Sequence, residues 1–143
     1  MDGYKTSIGE RAICSDDAHN AMISGGLAPW QIRTLNAHID ANLDGDITVD
    51  DLAGMVRLSV SHFGRAFKQS FGRTPHAHII AERLERARGL MLETSDSLAQ
   101  IALAVGLADQ SHLSRLFRQH TGETPFAWRR ARWSPQRAGI VLQ

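Results

Sequence analysis

Ser61, His62, Arg65, Lys68 and Gln69 place hydroxyl, imidazole, guanidinium, ammonium and amide groups within nine residues of chain. Fifty residues on, Ser111, His112, Arg115, Arg118 and Gln119 repeat the set, with Arg for Lys. These groups form directional hydrogen bonds and charge contacts. They are not arranged as nucleophile and base, nor as a thiol and imidazole set for a metal. The chemistry they offer is recognition. An arginine can meet a planar acceptor pair with two parallel hydrogen bonds, and Lys or Arg can neutralise a phosphate.

The stretches that hold them, 61–75 and 111–125, are identical at eight of fifteen positions: Ser, His, Arg, Phe, Gln, Gly, Thr and Pro. The repeat extends upstream. Val49, Leu52, Ala53 and Val56 have the i, i+3, i+4, i+7 spacing of a short amphipathic helix, and Leu98, Ile101, Ala102 and Val105 restate it forty-nine residues later. The offset changes from 49 to 50 in the turn between the two helices, around Gly106 and Leu107. A length change confined to a turn, with both helices kept in phase, is the mark of a duplicated helix–turn–helix.

Capping residues set the elements that carry the repeat. Pro29 and Trp30 open a helix reaching about Asn42, with Ile32, Leu35, Ile39 and Leu43 on one side and Trp30 as a packing anchor. Thr48, with Asp51 three residues later, opens the 49–56 helix. Ser59 opens the next, with Leu58 and Phe63 at the positions of a hydrophobic staple and Phe63, Phe67 and Phe71 facing inward. Gly72 ends that helix. Thr74 and Pro75 start the longest one, 75–92, with Ile80, Leu84, Ala87 and Met91 as its stripe and a length of about 27 Å. It reads as a spacer between the repeats. Ser97 with Gln100 and then Asp109 open the two helices of the second copy, whose second helix buries Leu113, Leu116 and Phe117. Thr124 and Pro125 begin a last helix closing near Trp133. The expected organisation is all-α: a flexible lead or linker at 1–28, a first unit with its linker helix at 29–93, a second unit at 94–133, and a tail at 134–143.

The composition narrows the class. The chain has 143 residues, 43% apolar and 22% charged, and lacks the run of about 18 apolar residues that a membrane helix needs. No apolar block follows the charged N-terminus, so no secretory signal is expected, and the lone Cys14 permits no intramolecular disulfide and no thiol cluster. A cytoplasmic protein without a cofactor is the simplest reading. The net charge of +1 conceals an asymmetry. Residues 1–58 hold four Lys/Arg and nine Asp/Glu, a balance of −5, whereas 59–143 hold twelve and six, a balance of +6. A basic half that contains the repeat suits a polyanionic partner.

A helix with an aromatic inner side and a basic, hydroxyl-rich outer side has the chemistry for reading DNA. Base edges in the major groove require directional donors, and phosphates require Lys, Arg and helix N-termini. Arg65 and Arg115 lie mid-face, where an arginine can bind guanine bidentately. Ser61, Gln110, Ser111 and His112 lie in the first turn, and Lys68 and Arg118 one turn on, towards phosphates. A core repeats because it must pack; a solvated face has no packing reason to repeat.

One competing motif runs over 40–51. Asp40, Asn42, Asp44, Gly45, Ile47 and Asp51 match the ligand, glycine and hydrophobic positions of an EF-hand calcium loop. Against it, Asp51 is shorter than the usual bidentate Glu, no second loop pairs with it, and the same residues make a turn followed by an N-cap. An enzyme is not expected: the chain has no Gly-rich phosphate loop, no Cys/His metal spacing and no nucleophile triad. A pure protein-interaction module accounts for the helices but not for the repeated basic faces; a nonspecific nucleic-acid module is the other alternative.

From about Trp30 to Trp133 the chain resembles the DNA-binding domain of the AraC/XylS family of bacterial transcription regulators. The matching marks are Asp51-Leu52-Ala53, Ser59, Ser61-His62-Phe63, Arg65-Ala66-Phe67-Lys68, Gly72 and Thr74-Pro75. In the second half they are Ile101-Ala102, Val105-Gly106-Leu107, Asp109 to Leu113, Arg115 to Arg118, Gly122, Thr124-Pro125 and Trp128-Arg129. The resemblance implies two homeodomain-like helix–turn–helix units joined by a long linker helix. It also implies recognition helices at about 59–71 and 109–120 that enter successive major-groove segments about 34 Å apart. It maps base contacts to Ser61, Gly64, Arg65, Gln110, Ser111, His112 and Arg115. Gly64 departs from the pattern because it has no side chain to read a base. Double-stranded promoter DNA and RNA polymerase are the implied partners. Residues 1–28 are too few for the sensor and dimerisation domain of many members, so the chain is either a stand-alone binder or a fragment of a longer protein, and this chain is expected to be a monomer.

Overall fold

The computed structural model describes residues 25–134; the expectations for the lead before residue 25 and the tail after 134 lie outside them. The described chain is helical, without strands among those residues. In order it forms α1 (Pro29–Ala41), α2 (Val49–Met55), α3 (Val60–Phe71), α4 (Pro75–Glu93), α5 (Leu98–Ala104), α6 (Gln110–Thr121) and α7 (Pro125–Arg132). These residues divide into two compact units, 25–42 with 47–79 and 43–46 with 80–134.

The helix starts follow from the capping residues. Thr48, Ser59 and Thr74 accept the backbone N–H three residues on, at 3.1, 3.2 and 3.2 Å. In the second copy Ser97 accepts from Gln100 at 3.1 Å and Asp109 from His112 at 2.8 Å, while Thr124 accepts from Ala127 at 3.2 Å. Gln100 Oε1 also accepts the Ser97 N–H at 2.8 Å, closing a reciprocal capping box. α1 starts differently. Ala28 has no side-chain acceptor, so Gln31 Oε1 turns back to accept the Ala28 N–H at 2.7 Å, and its Nε2 donates to Val56 O at 3.0 Å.

In the first unit α1 buries Leu35 and Ile39, α2 buries Leu52 and Ala53, and α3 buries Phe63, Ala66 and Phe67. Phe71 is half-buried and stacks on Phe67 with ring centroids 4.1 Å apart. His78 closes this aromatic group, its ring 5.4 Å from Phe67 and 4.8 Å from Phe71, with Arg73 Nε donating to His78 Nδ1 at 3.2 Å. Fifty positions on, Trp128 meets Phe117 edge-on at 5.6 Å, so His78 and Trp128 plug equivalent positions. Two expectations change. Trp30 is 38% exposed and is no packing anchor; Leu35 and Ile39 hold α1 instead. Leu27 and Ala28, at the end of the expected flexible lead, are buried, and the Leu27 N–H donates to Ser70 Oγ at 2.7 Å.

The second unit is built around Ile80, Leu84, Ala87 and Met91 of α4, Ile101, Ala102 and Val105 on and after α5, Leu107, and Leu113 and Phe117 of α6. Burying each of the larger of these side chains (Val, Leu, Ile, Met or Phe) contributes about 1.5–3 kcal/mol relative to exposure. Leu98, Leu116 and Trp128 pack against this core from its margin. Two arginines tie loops to it. Arg83 Nε donates to Leu43 O at 3.0 Å and its NH2 group to Gly45 O at 2.8 Å. Arg129 Nε donates to Met91 O at 2.9 Å and NH2 to Thr94 O at 2.7 Å, with a further bond from NH1 to Asp96 O. Burial lowers both guanidinium pKa values, while Asp46 beside Arg83 and Asp96 beside Arg129 oppose that shift.

The competing calcium-loop motif finds no support here. The Gly45 carbonyl takes a hydrogen bond from Arg83, Thr48 Oγ1 caps α2, and Asp50 and Asp51 lie in the first turn of that helix. Acidic side chains there complement the partial positive charge of a helix N-terminus. Among the described residues no group of three or more His, Cys, Asp or Glu side chains is placed to hold a metal. No described helix is long and apolar enough to cross a membrane.

Candidate nucleic-acid interface

α3 and α6 are built to one specification. Each is a twelve-residue helix with an N-cap that accepts from its third helical N–H, and each ends at a left-handed glycine. Gly72 has φ 80° and Gly122 φ 83°, and their N–H groups bond Lys68 O and Arg118 O, both at 2.8 Å. A left-handed C-terminal residue suits glycine because it has no Cβ to clash with the carbonyl. The turn before each helix is also shared. Leu58 N–H bonds Ala53 O at 3.0 Å and Leu107 N–H bonds Ala102 O at 2.9 Å, with Arg57 and Gly106 bonding Gly54 O and Leu103 O, each at 3.1 Å. That paired pattern is a Schellman motif. The register assigned from sequence, offset by 50 beyond the turn, is therefore the structural register.

Buried Phe63, Ala66 and Phe67 turn the opposite side of α3 outward, and Leu113 with Phe117 does the same in α6. Ser61, Arg65 and Lys68 are exposed on the first helix, and Gly64 is half-buried at the flank. Gln110, Ser111, Arg115 and Arg118 are exposed on the second. His112 is half-buried. Its backbone N–H is capped by Asp109, and its Nδ1 accepts the Ala108 N–H at 3.3 Å. With Nδ1 accepting, the neutral ring carries its hydrogen on Nε2, the atom left for an external contact. The extra residue of the second copy, Ala108, thus gains a role: it ties the recognition helix to its turn through His112.

Several basic side chains are engaged within the chain. Arg88 pairs with Glu85, and Arg132 pairs with Glu123 at 3.7 Å and lies over the Trp128 ring at 4.7 Å. Arg83 and Arg129 grip backbone carbonyls. Arg65, Lys68, Arg115 and Arg118 form no salt bridge among the described residues and lie exposed at matching positions of the two helices. Sequence reasoning did not mark Val60, the first residue of α3, which is 48% exposed and occupies the position of Gln110 in α6. The signal was available in the fifty-residue offset alone.

Comparison with known proteins agrees with this architecture. Residues 52–131 match the family described as a helix-turn-helix domain. The chain is similar to the HTH-type transcriptional regulator ArgR of Pseudomonas aeruginosa, 36% identical over 87 residues that cover 61% of this chain and 26% of that protein. It therefore spans about a quarter of that relative's length. Among solved structures it is similar to an AraC-type transcriptional regulator from Chromobacterium violaceum, at a TM-score of 0.67 and 34% identity over 73% of this chain and 94% of that one. The DNA-binding domain of AdpA, solved in complex with a target DNA, gives a TM-score of 0.66 at 25% identity over 71% and 90% of the two chains. With its duplicated capped helices, shared Schellman turns and these relatives, the chain belongs to the AraC/XylS family of helix–turn–helix transcription regulators.

Proposed function

We propose that this chain binds double-stranded DNA at specific sequences and regulates transcription, presenting α3 and α6 as recognition helices. The observation that carries this reading is the matched pair of outward faces. Arg65 and Arg115, and Lys68 and Arg118, stand exposed and without salt bridges at equivalent positions of two helices whose other sides are core. In their first turns Ser61, Gln110, Ser111 and His112 supply donors and acceptors for base edges, and the two mid-face arginines supply bidentate donors for guanine. Lys68 and Arg118 neutralise phosphates. Gly64 contributes backbone only. The relatives, named as transcription regulators, and the neighbour solved on its target DNA support the same reading.

The finer picture belongs to the same proposal. One chain acts as a monomer in the cytoplasm, covers an asymmetric site of two boxes, and works through RNA polymerase; it has no catalytic step of its own. The test is a gel-shift selection from random duplexes of about 25 base pairs, long enough for two boxes one helical turn apart. Enrichment of two short boxes at that spacing is expected. A selected pool indistinguishable from bulk DNA overturns the proposal.

A further inference from the structure

Val60 is one of four large apolar side chains exposed among the described residues, with Trp30, Leu103 and Phe126, and of the four it alone lies on a recognition helix. It is the first residue of α3, directly after the Ser59 cap. One turn on, at i+4 and so on the same strip of the helix, stands Gly64. A Cβ added at Gly64 would meet nothing within 4 Å, so neither packing nor a positive φ calls for glycine there. Gly54 and Gly89 also have open space; of the three only Gly64 lies on a recognition helix, one turn from exposed Val60. In α6 the same two positions hold Gln110 and Ser114, both able to hydrogen-bond.

We infer that the first unit reads the C5-methyl group of a thymine with Val60, over the bare backbone at Gly64, where the second unit reads hydrogen-bonding edges with Gln110 and Ser114. The inference rests on the DNA-reading role proposed above. In the major groove the thymine methyl is the apolar feature a base edge offers, and apolar side chains are its complement. Valine against a donor or acceptor edge would leave that edge unpaired on desolvation, which is unfavourable. Glycine one turn further in lets the helix approach more closely than any other residue would. Duplication thus produced two helices of one frame that read two chemistries.

The experiment uses the full chain and the selected duplex. The first unit's box is the one in which Arg65→Ala relaxes preference at a base pair. Each thymine in that box is replaced in turn by deoxyuridine, which removes only the methyl group, and affinity is measured by gel shift. At one thymine the dissociation constant should rise about fourfold, the effect of losing one buried methyl. Val60→Ala should bind the thymine and uracil duplexes alike while still selecting the base pair read by Arg65. An unchanged thermal melt of Val60→Ala, expected for an exposed position, ties that result to contact and not to folding. With cytosine at the sensitive position, 5-methylcytosine should bind better than cytosine; equal binding overturns the methyl reading. Tolerance of deoxyuridine at every position of a box that is still selected also overturns it, leaving sequence-specific binding in place. Failure of selection to produce any box overturns both.

Discussion

Arg57 and Gly106 occupy the same place in the two turns, and they show how differently one backbone conformation can be filled. Both are left-handed, with φ 62° and 86°. A side chain at Arg57 is strained there, by about 1–2 kcal/mol for an L-residue. At Gly106 the constraint is steric as well, because a Cβ would lie 2.2 Å from Leu43 O and 3.1 Å from the Arg83 guanidinium. Gly106→Ala should therefore destabilise the chain by about 2 kcal/mol or more, and Arg57→Gly should stabilise it by about 0.5–1 kcal/mol. Urea midpoints at unchanged slope would measure both. The two outward arginines call for a different readout. Arg65→Ala and Arg115→Ala should each cost about 1–3 kcal/mol of binding and relax preference at one base pair of one box. A uniform loss across all sequences would move them from base to backbone contacts.

At the level of elements, the helix ends are held by side chains whose capping role the sequence names and by one whose partners it does not. Ser59, Ser97 and Asp109 are legible caps, and each forms the expected bond. Arg129 matches the family pattern, yet its partners are three carbonyls 33 to 38 residues away in sequence, which no local pattern announces. It closes the C-terminal end of α4 and the loop before α5, helped by Trp133 Nε1, which donates to Thr94 O at 2.8 Å. Arg129→Ala should lower stability by about 1.5–3 kcal/mol, the range for hydrogen bonds made by a charged group. Arg129→Lys should recover little, because an ammonium lacks the planar fork that reaches several acceptors. Thermal melts of both variants check this, with the selected DNA boxes expected to stay unchanged.

Across the whole molecule the charge is divided by sequence position, −5 over residues 1–58 and +6 over 59–143. The basic part contains all four outward cations of α3 and α6, while Arg83, Arg88, Arg129 and Arg132 there are engaged within the chain. Net charge therefore overstates the surface available to phosphates. Lys68→Ala and Arg118→Ala should weaken binding to every sequence alike and each lower the slope of log affinity against log salt by about 1. Binding titrations over a range of salt concentrations, on selected and bulk DNA, separate this behaviour from the base-specific losses expected at Arg65 and Arg115.

The sequence by itself determined the duplication, the helix starts and stops, the inward stripes and the register of the outward faces. These depend on residue type and on spacings within about one turn of helix, so composition and period carry them. Tertiary structure decided what local spacing cannot hold. Trp30 reads as an anchor by type, but α1 buries Leu35 and Ile39 instead. The acidic loop reads from sequence as a turn and an N-cap, but that Arg83, about forty residues on, binds its carbonyls is written in no local pattern. Arginines with the same formal charge separate into internal clamps and outward contacts only when distant segments meet. Whether a guanidinium finds a carbonyl or is left for solvent depends on contacts between residues far apart in the chain, and the fold alone brings them together.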